Sequence, residues 1–140
     1  MPDIARLHDE HRELLGLLGR LSDAIARPEP APQVELFDLR MKICTTLIGH
    51  LKVEDWSLYP MLIAHPDPAV AEKARRFNDE MGGLASAFAC YSRRWTTMMI
   101  HTHWNGFCSE SAEIIEALTR RIEREEAELY PLAERAAKAA

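Results

Sequence analysis

One stretch of this chain occurs twice. His50-Leu51-Lys52-Val53-Glu54-Asp55-Trp56-Ser57-Leu58-Tyr59-Pro60 aligns with Arg121-Ile122-Glu123-Arg124-Glu125-Glu126-Ala127-Glu128-Leu129-Tyr130-Pro131, so that the glutamate, the acid after it and the Leu-Tyr-Pro coincide. On an α-helix, positions i and i+4 share a face, with Cβ atoms about 5–6 Å apart. His50 and Glu54 can therefore reach one cation together, and imidazole with carboxylate suits iron, zinc or manganese. Arg121 stands where the first copy has His50. A guanidinium stays protonated and cannot ligate a cation, which leaves Glu125 as the donor of the second copy. The repeat reads as a metal site laid out in duplicate, with part of one copy lost.

The elements that must position these residues follow from punctuation and periodicity. Pro28, Pro30 and Pro32 form one cluster, Pro66 and Pro68 another, and residues 96–105 lack a repeat pattern. Between them lie four segments, about 4–26, 33–64, 69–95 and 106–137, rich in Ala, Leu, Glu and Arg and far longer than strands. The expected fold is all-α, an antiparallel up-and-down four-helix bundle with short connections, forming a single domain over residues 1–140.

Polar residues interrupt the apolar stripes. In the first helix His11 falls among Ile4, Leu7, Leu14, Leu18, Leu21 and Ile25, and in the second His50 and Glu54 fall among Leu36, Leu39, Ile43, Leu47, Leu58 and Met61. In the fourth, Arg121 and Glu125 fall among Phe107, Ile114, Leu118, Leu129 and Leu132. The third stripe, Val70 to Met98, is read as unbroken, with Met81 at the corresponding depth. Buried polar groups must be paired or ligated, since an unsatisfied one costs about 1–3 kcal/mol. Five interruptions at matching depth in three helices point to inward ligands of the kind that build metal sites in bundles.

This arrangement resembles the hemerythrin-like family, the HHE cation-binding domain, over nearly the whole chain. Asp9-Glu10-His11-Arg12 resembles its first-helix motif, His50 and Glu54 with Leu58-Tyr59-Pro60 its second, and Glu125 with Leu129-Tyr130-Pro131 its fourth. The resemblance implies a bundle holding two non-haem irons bridged by carboxylates. Two of the family's histidines are missing here: Asp79-Glu80-Met81 stands where an acid followed by His is usual, and Arg121 replaces the fourth-helix His. In the family those two serve largely the same iron. The surviving half keeps His11, His50, Glu54 and Glu125, a shell for one divalent metal, iron first, then zinc or manganese, with a metal-free domain as an alternative.

Arg121 has two readings: inward, pairing with Glu54 or Glu125 in place of an ion, or outward as a surface partner of Glu125. His8 is expected on the flank of the bundle, and His101 and His103 in a capping role within the connection. His65 is expected to end the second helix. Leu14-Leu15-Gly16-Leu17-Leu18-Gly19 is apolar around most of its circumference and suggests a homodimer seam or partner-docking surface on the first helix. Trp56, Trp95 and Trp104 are expected as core and rim anchors.

With a net charge of −5, the chain carries no electrostatic footprint for nucleic acid or anionic membrane. No window approaches the roughly 18 apolar residues of a membrane span, and Asp3, Arg6, His8 and Asp9 occupy the place of a signal peptide's apolar stretch, so a cytoplasmic protein is expected. Cys44, Cys90 and Cys108, odd in number and without a Cys-x-x-Cys pair, read as buried free thiols. Phosphate loops and nucleophile triads are not seen. The expected function is non-enzymatic: an altered hemerythrin-like site in a sensory, regulatory or protein-interaction module. The competing readings are an intact two-iron centre for O2, NO or peroxide, with Glu80 or His8 replacing the missing histidines, and a metal-free domain in which Arg121 neutralises the carboxylates.

Overall fold

The computed structural model describes residues 2–138, which form helices joined by short connections, with no strand among them. The first rod is α1 (Ile4–Ile25), started by Asp3, whose carboxylate accepts the Arg6 N–H. The second runs through α2 (Gln33–Val53) and α3 (Tyr59–Ile63), and the third through α4 (Pro68–Met81) and α5 (Leu84–Arg94). After a short α6 (Thr97–Thr102), capped by Thr96, the fourth rod comprises α7 (Trp104–Arg124) and α8 (Tyr130–Lys138). The chain is the all-α helical bundle that the stripes imply.

Rods two and four each contain one wide π turn, at Glu54–Leu58 and Glu125–Leu129. Prolines dictate them. Pro60 and Pro131 lack an N–H, and in a regular helix their rings would collide with the carbonyls four residues back, at Trp56 and Ala127. The chain widens instead of breaking: the Tyr59 N–H reaches the Glu54 carbonyl and the Tyr130 N–H the Glu125 carbonyl, five residues back. The change of phase leaves consecutive residues, Leu58 with Tyr59 and Leu129 with Tyr130, all buried.

The interior has two apolar cores. One gathers Leu14, Leu18, Leu47, Phe88, Phe107 and Leu118. The other gathers Leu7, Leu58, Leu62, Phe77, Leu129 and Ala133. Along the first rod His11 lies between Leu7 and Leu14, and along the fourth Arg121 and Glu125 lie between Leu118 and Leu129. The matching polar residues thus form one layer between the two cores.

Four expectations change. The third helix is broken at Gly82-Gly83 rather than continuous. Each glycine weakens a helix interior by about 1 kcal/mol, and at Gly82 an added Cβ would lie 2.6 Å from the Asn78 carbonyl oxygen, a contact only glycine makes. Residues 97–102 are helical rather than irregular, because Thr96 supplies a cap. Of the tryptophans, Trp95 and Trp104 are buried anchors, but Trp56 is 76% exposed beside Lys52. The three thiols are free, with Cys44 and Cys108 half-buried and Cys90 exposed rather than buried. His65 ends α3 with its ring accepting the Asp67 N–H, and His103 stands between α6 and α7 with its ring 2.9 Å from the Thr102 hydroxyl.

Candidate metal centre

His11, His50, Glu54 and Glu125 meet in the polar layer. All four are buried, and one candidate ligand atom from each lies within 4.8 Å of the others. Metal–ligand bonds of about 2.1 Å set ligand atoms roughly 3.4 Å apart in a tetrahedron, so small side-chain shifts would gather this set around one ion. Two imidazoles and two carboxylates are a donor set that fits a divalent transition metal.

Each histidine is held from behind. His50 places Nε2 2.9 Å from Glu54 Oε1 and Nδ1 2.9 Å from Glu10 Oε1. His11 places Nε2 3.1 Å from Glu125 Oε1 and Nδ1 2.9 Å from Glu126 Oε1. A carboxylate on Nδ1 fixes the ring and favours the tautomer whose Nε2 lone pair faces the centre, as in carboxylate–histidine–metal arrangements.

The two tyrosines of the repeat serve the opposite copy. Tyr59 donates to Glu125 Oε2 at 3.0 Å, and Tyr130 donates to Glu54 Oε2 at 2.9 Å while lying 3.0 Å from His11 Nε2. Burial, then the charge of Glu125 at Tyr59 and of Glu54 at Tyr130, pushes both phenols above their ordinary range, so both remain donors.

Arg121 points inward and is only 2% exposed. Its Nε donates to Glu125 Oε2 at 3.1 Å and its Nη2 to Glu54 Oε1 at 3.4 Å and Asp55 Oδ1 at 3.1 Å. Its Nη1 donates to the Met81 carbonyl at 3.1 Å. That carbonyl lies at the last residue of α4, where the Gly82-Gly83 break frees it from helical bonding. Met81 therefore contributes backbone, while its half-buried side chain packs against the second core.

The electrostatics follow from charges crowded in a dry layer. Burial, then the neighbouring Glu125, pushes the Glu54 carboxyl up to about 7. Burial raises Glu125 too, but the His11 hydrogen bond and the Arg121 charge outweigh it and hold this carboxyl below its usual range. Burial pulls His50 down, yet its bonds to Glu54 and Glu10 hold it at about 9. Glu54 and Glu125, both ionised, exceed Arg121 by one negative charge, which a proton shared between His50 and Glu54, or a cation, offsets.

His8 and Glu80 are engaged elsewhere. His8 Nδ1 pairs with Glu126 on the flank, as expected, and Glu80 pairs with Arg124 at the surface. Tyr59, Tyr130, Glu10, Asp55 and Glu126 were not singled out as site residues from the sequence. For Tyr59, Tyr130, Asp55 and Glu126 the signal lay in the repeat, whose shared elements include Tyr and the acid after each glutamate, and for Glu10 in its place beside His11 in Asp9-Glu10-His11-Arg12.

The hemerythrin HHE cation-binding domain family matches residues 3–133. The chain belongs to that family. A search of curated proteins and a search of solved structures each found no match.

Proposed function

We propose that this is a hemerythrin-like domain with a mononuclear metal site, in which Arg121 stands in place of a second ion. The observation that carries the reading is the buried guanidinium bonded to both Glu54 and Glu125. His11, His50, Glu54 and Glu125 would hold the ion, iron first, with zinc or manganese compatible with the same donors. Bound there, the metal would supply a Lewis-acidic and, if iron, redox-active centre. Glu10 and Glu126 would orient the imidazoles, the tyrosines would fix the carboxylates, and the apolar cores on either side would limit water.

A second cation beside Arg121 would meet a fixed positive charge, at a cost of several kcal/mol at about 4 Å and protein-like dielectric. One ion favours a sensory or regulatory module, without an enzymatic role, over an oxygen carrier working at two irons. The absence of a membrane-length apolar helix among the described residues is compatible with a cytoplasmic setting for such a module.

A metal-free interaction domain is the second reading. It is favoured by the hydrogen bonding of the layer, since among the described residues the buried side-chain polar atom without a partner is His101 Nε2, outside the site. Elemental analysis separates the readings. One ion per chain in the wild type, lost in His50→Ala with the helical circular dichroism intact, supports the mononuclear site. Two ions restore the two-iron reading, and none after loading with ferrous iron, zinc and manganese leaves the metal-free one.

A further inference from the structure

Helix α2 is apolar on two opposite sides. Leu36, Leu39, Ile43 and Leu47 face the bundle and are buried. Val34, Phe37, Met41 and Ile48 are 73%, 51%, 49% and 46% exposed. At about 100° per residue these four, with Thr45 among them, fall within roughly 40° of one line. Their spacing is that of a coiled-coil seam. Val53, the last residue of α2, adds exposed apolar surface on the flank of the stripe, and Trp56 extends it beyond the end of α2. The six side chains expose on the order of 600 Å², the upper end of what the largest patch on a monomer presents.

The charges beside this stripe choose its occupant. Glu35 and Asp38 lie toward its N-terminal end, Lys42 close to its middle, and Lys52 toward its C-terminal end, followed by Asp55. A parallel copy would set acid on acid and base on base. An antiparallel copy sets each Asp38 on a Lys52, and the stripe, apolar along its length, is complementary to itself under a two-fold axis. With that axis near Thr45, Asp38 faces Lys52 of the partner subunit, and Val34 lies at the level of Trp56 of the partner subunit. Gly49, where an added Cβ would meet nothing within 4 Å, leaves room for the second backbone near the centre. The stripe from Val34 to Trp56 is about 33 Å long at 1.5 Å per residue. With its flanking charges it approaches the roughly 800 Å² per partner of a standard interface.

We propose that two copies of this chain associate through α2, packed antiparallel against its symmetry mate. On the first helix, by contrast, Leu14, Leu17 and Leu18 are buried within the chain itself, and of that segment's leucines Leu15 alone is exposed.

Light scattering and sedimentation of the full chain test this. The wild type is expected to be a dimer at tens of micromolar. Met41→Glu, at an exposed position near the centre of the stripe, should yield a monomer with unchanged helicity and unchanged metal content, since the candidate ligands face the bundle interior. Asp38→Lys and Lys52→Asp should each weaken the dimer, and the two together should restore it, because the swap re-forms the antiparallel pair in the opposite sense. A wild type that stays monomeric at hundreds of micromolar would overturn the proposal and leave the stripe to a different partner. So would a folded Met41→Glu dimer, or a double swap as weak as the single changes.

Discussion

Replacing Arg121 by Met removes a buried charge while keeping a side chain of similar reach, and so isolates what the guanidinium does. Arg121 donates to Glu54, Glu125, Asp55 and the Met81 carbonyl, and it is the arginine or lysine that reaches both fully buried glutamates. Breaking a buried pair by deleting one partner costs about 3–5 kcal/mol, because the remaining charge is left uncompensated. A domain of this size has about 5–15 kcal/mol in hand, so the variant should fold. Each kcal/mol shifts the melting temperature by roughly 3–5 °C at this length, which places the metal-free variant about 10–25 °C below the metal-free wild type. Divalent metal should then reverse the order of gains. The wild type gains from its single ion, about 2.7 kcal/mol at a hundredfold excess over Kd, while the variant gains that and the neutralisation of carboxylates that lost their cation. Melting curves followed by circular dichroism, in chelator and in excess zinc, read both quantities. A metal-free melting point within about 2 °C of wild type, or equal metal-dependent gains in the two proteins, would refute a guanidinium acting in place of an ion.

Two further outcomes follow from the same layer. Tyr130→Phe deletes the donor to Glu54 Oε2 in a fully buried position and should cost about 1–3 kcal/mol in urea denaturation while leaving metal stoichiometry unchanged; a neutral result would mean that Glu54 is satisfied without the phenol. Metal binding should strengthen with pH, because the ion requires a neutral His50 and an ionised Glu54. His50 held at about 9 and Glu54 raised to about 7 keep a proton in the way. Apparent affinity measured by chelator competition should rise about tenfold per pH unit for each proton displaced, more steeply below about pH 7 than between 7 and 9, and level off above 9. A flat profile would show that the metal does not displace these protons.

The helices and the depth of the site were legible because both depend on one-dimensional periodicity. A 3.6-residue stripe marks a buried face, and His11, His50, Glu54, Arg121 and Glu125 stand out as polar residues on it. The apolar stripe from Val70 to Met98 carries through Gly82-Gly83 as though the helix did, and so masks the break that the glycine pair signals. At the break Gly82 lies so close to the Asn78 carbonyl that a Cβ would not fit, and what the break exposes is a backbone atom, the Met81 carbonyl that Arg121 reaches. The role of the Met81 carbonyl has no side-chain signature. The tyrosines were hidden for a different reason: a proline in a helical pattern signals an end or a kink, whereas here it widens the turn and carries Tyr59 and Tyr130 into the polar layer.

That widening explains how the two copies of the repeat can differ at their first residue and still make one site. Each copy's tyrosine donates to the other copy's glutamate, and the histidines draw their outer support from Glu10 on the first helix and from Glu126. The carboxylates of both copies therefore each have a partner in addition to the residues at positions 50 and 121. At 121 the requirement reduces to a positive centre between Glu54 and Glu125, and a guanidinium with donors in a fixed fork meets it as a second cation would. On the proposed mononuclear reading, Arg121 takes the place of a second ion, while the tyrosines and the acids beside the histidines hold the carboxylates and imidazoles in position.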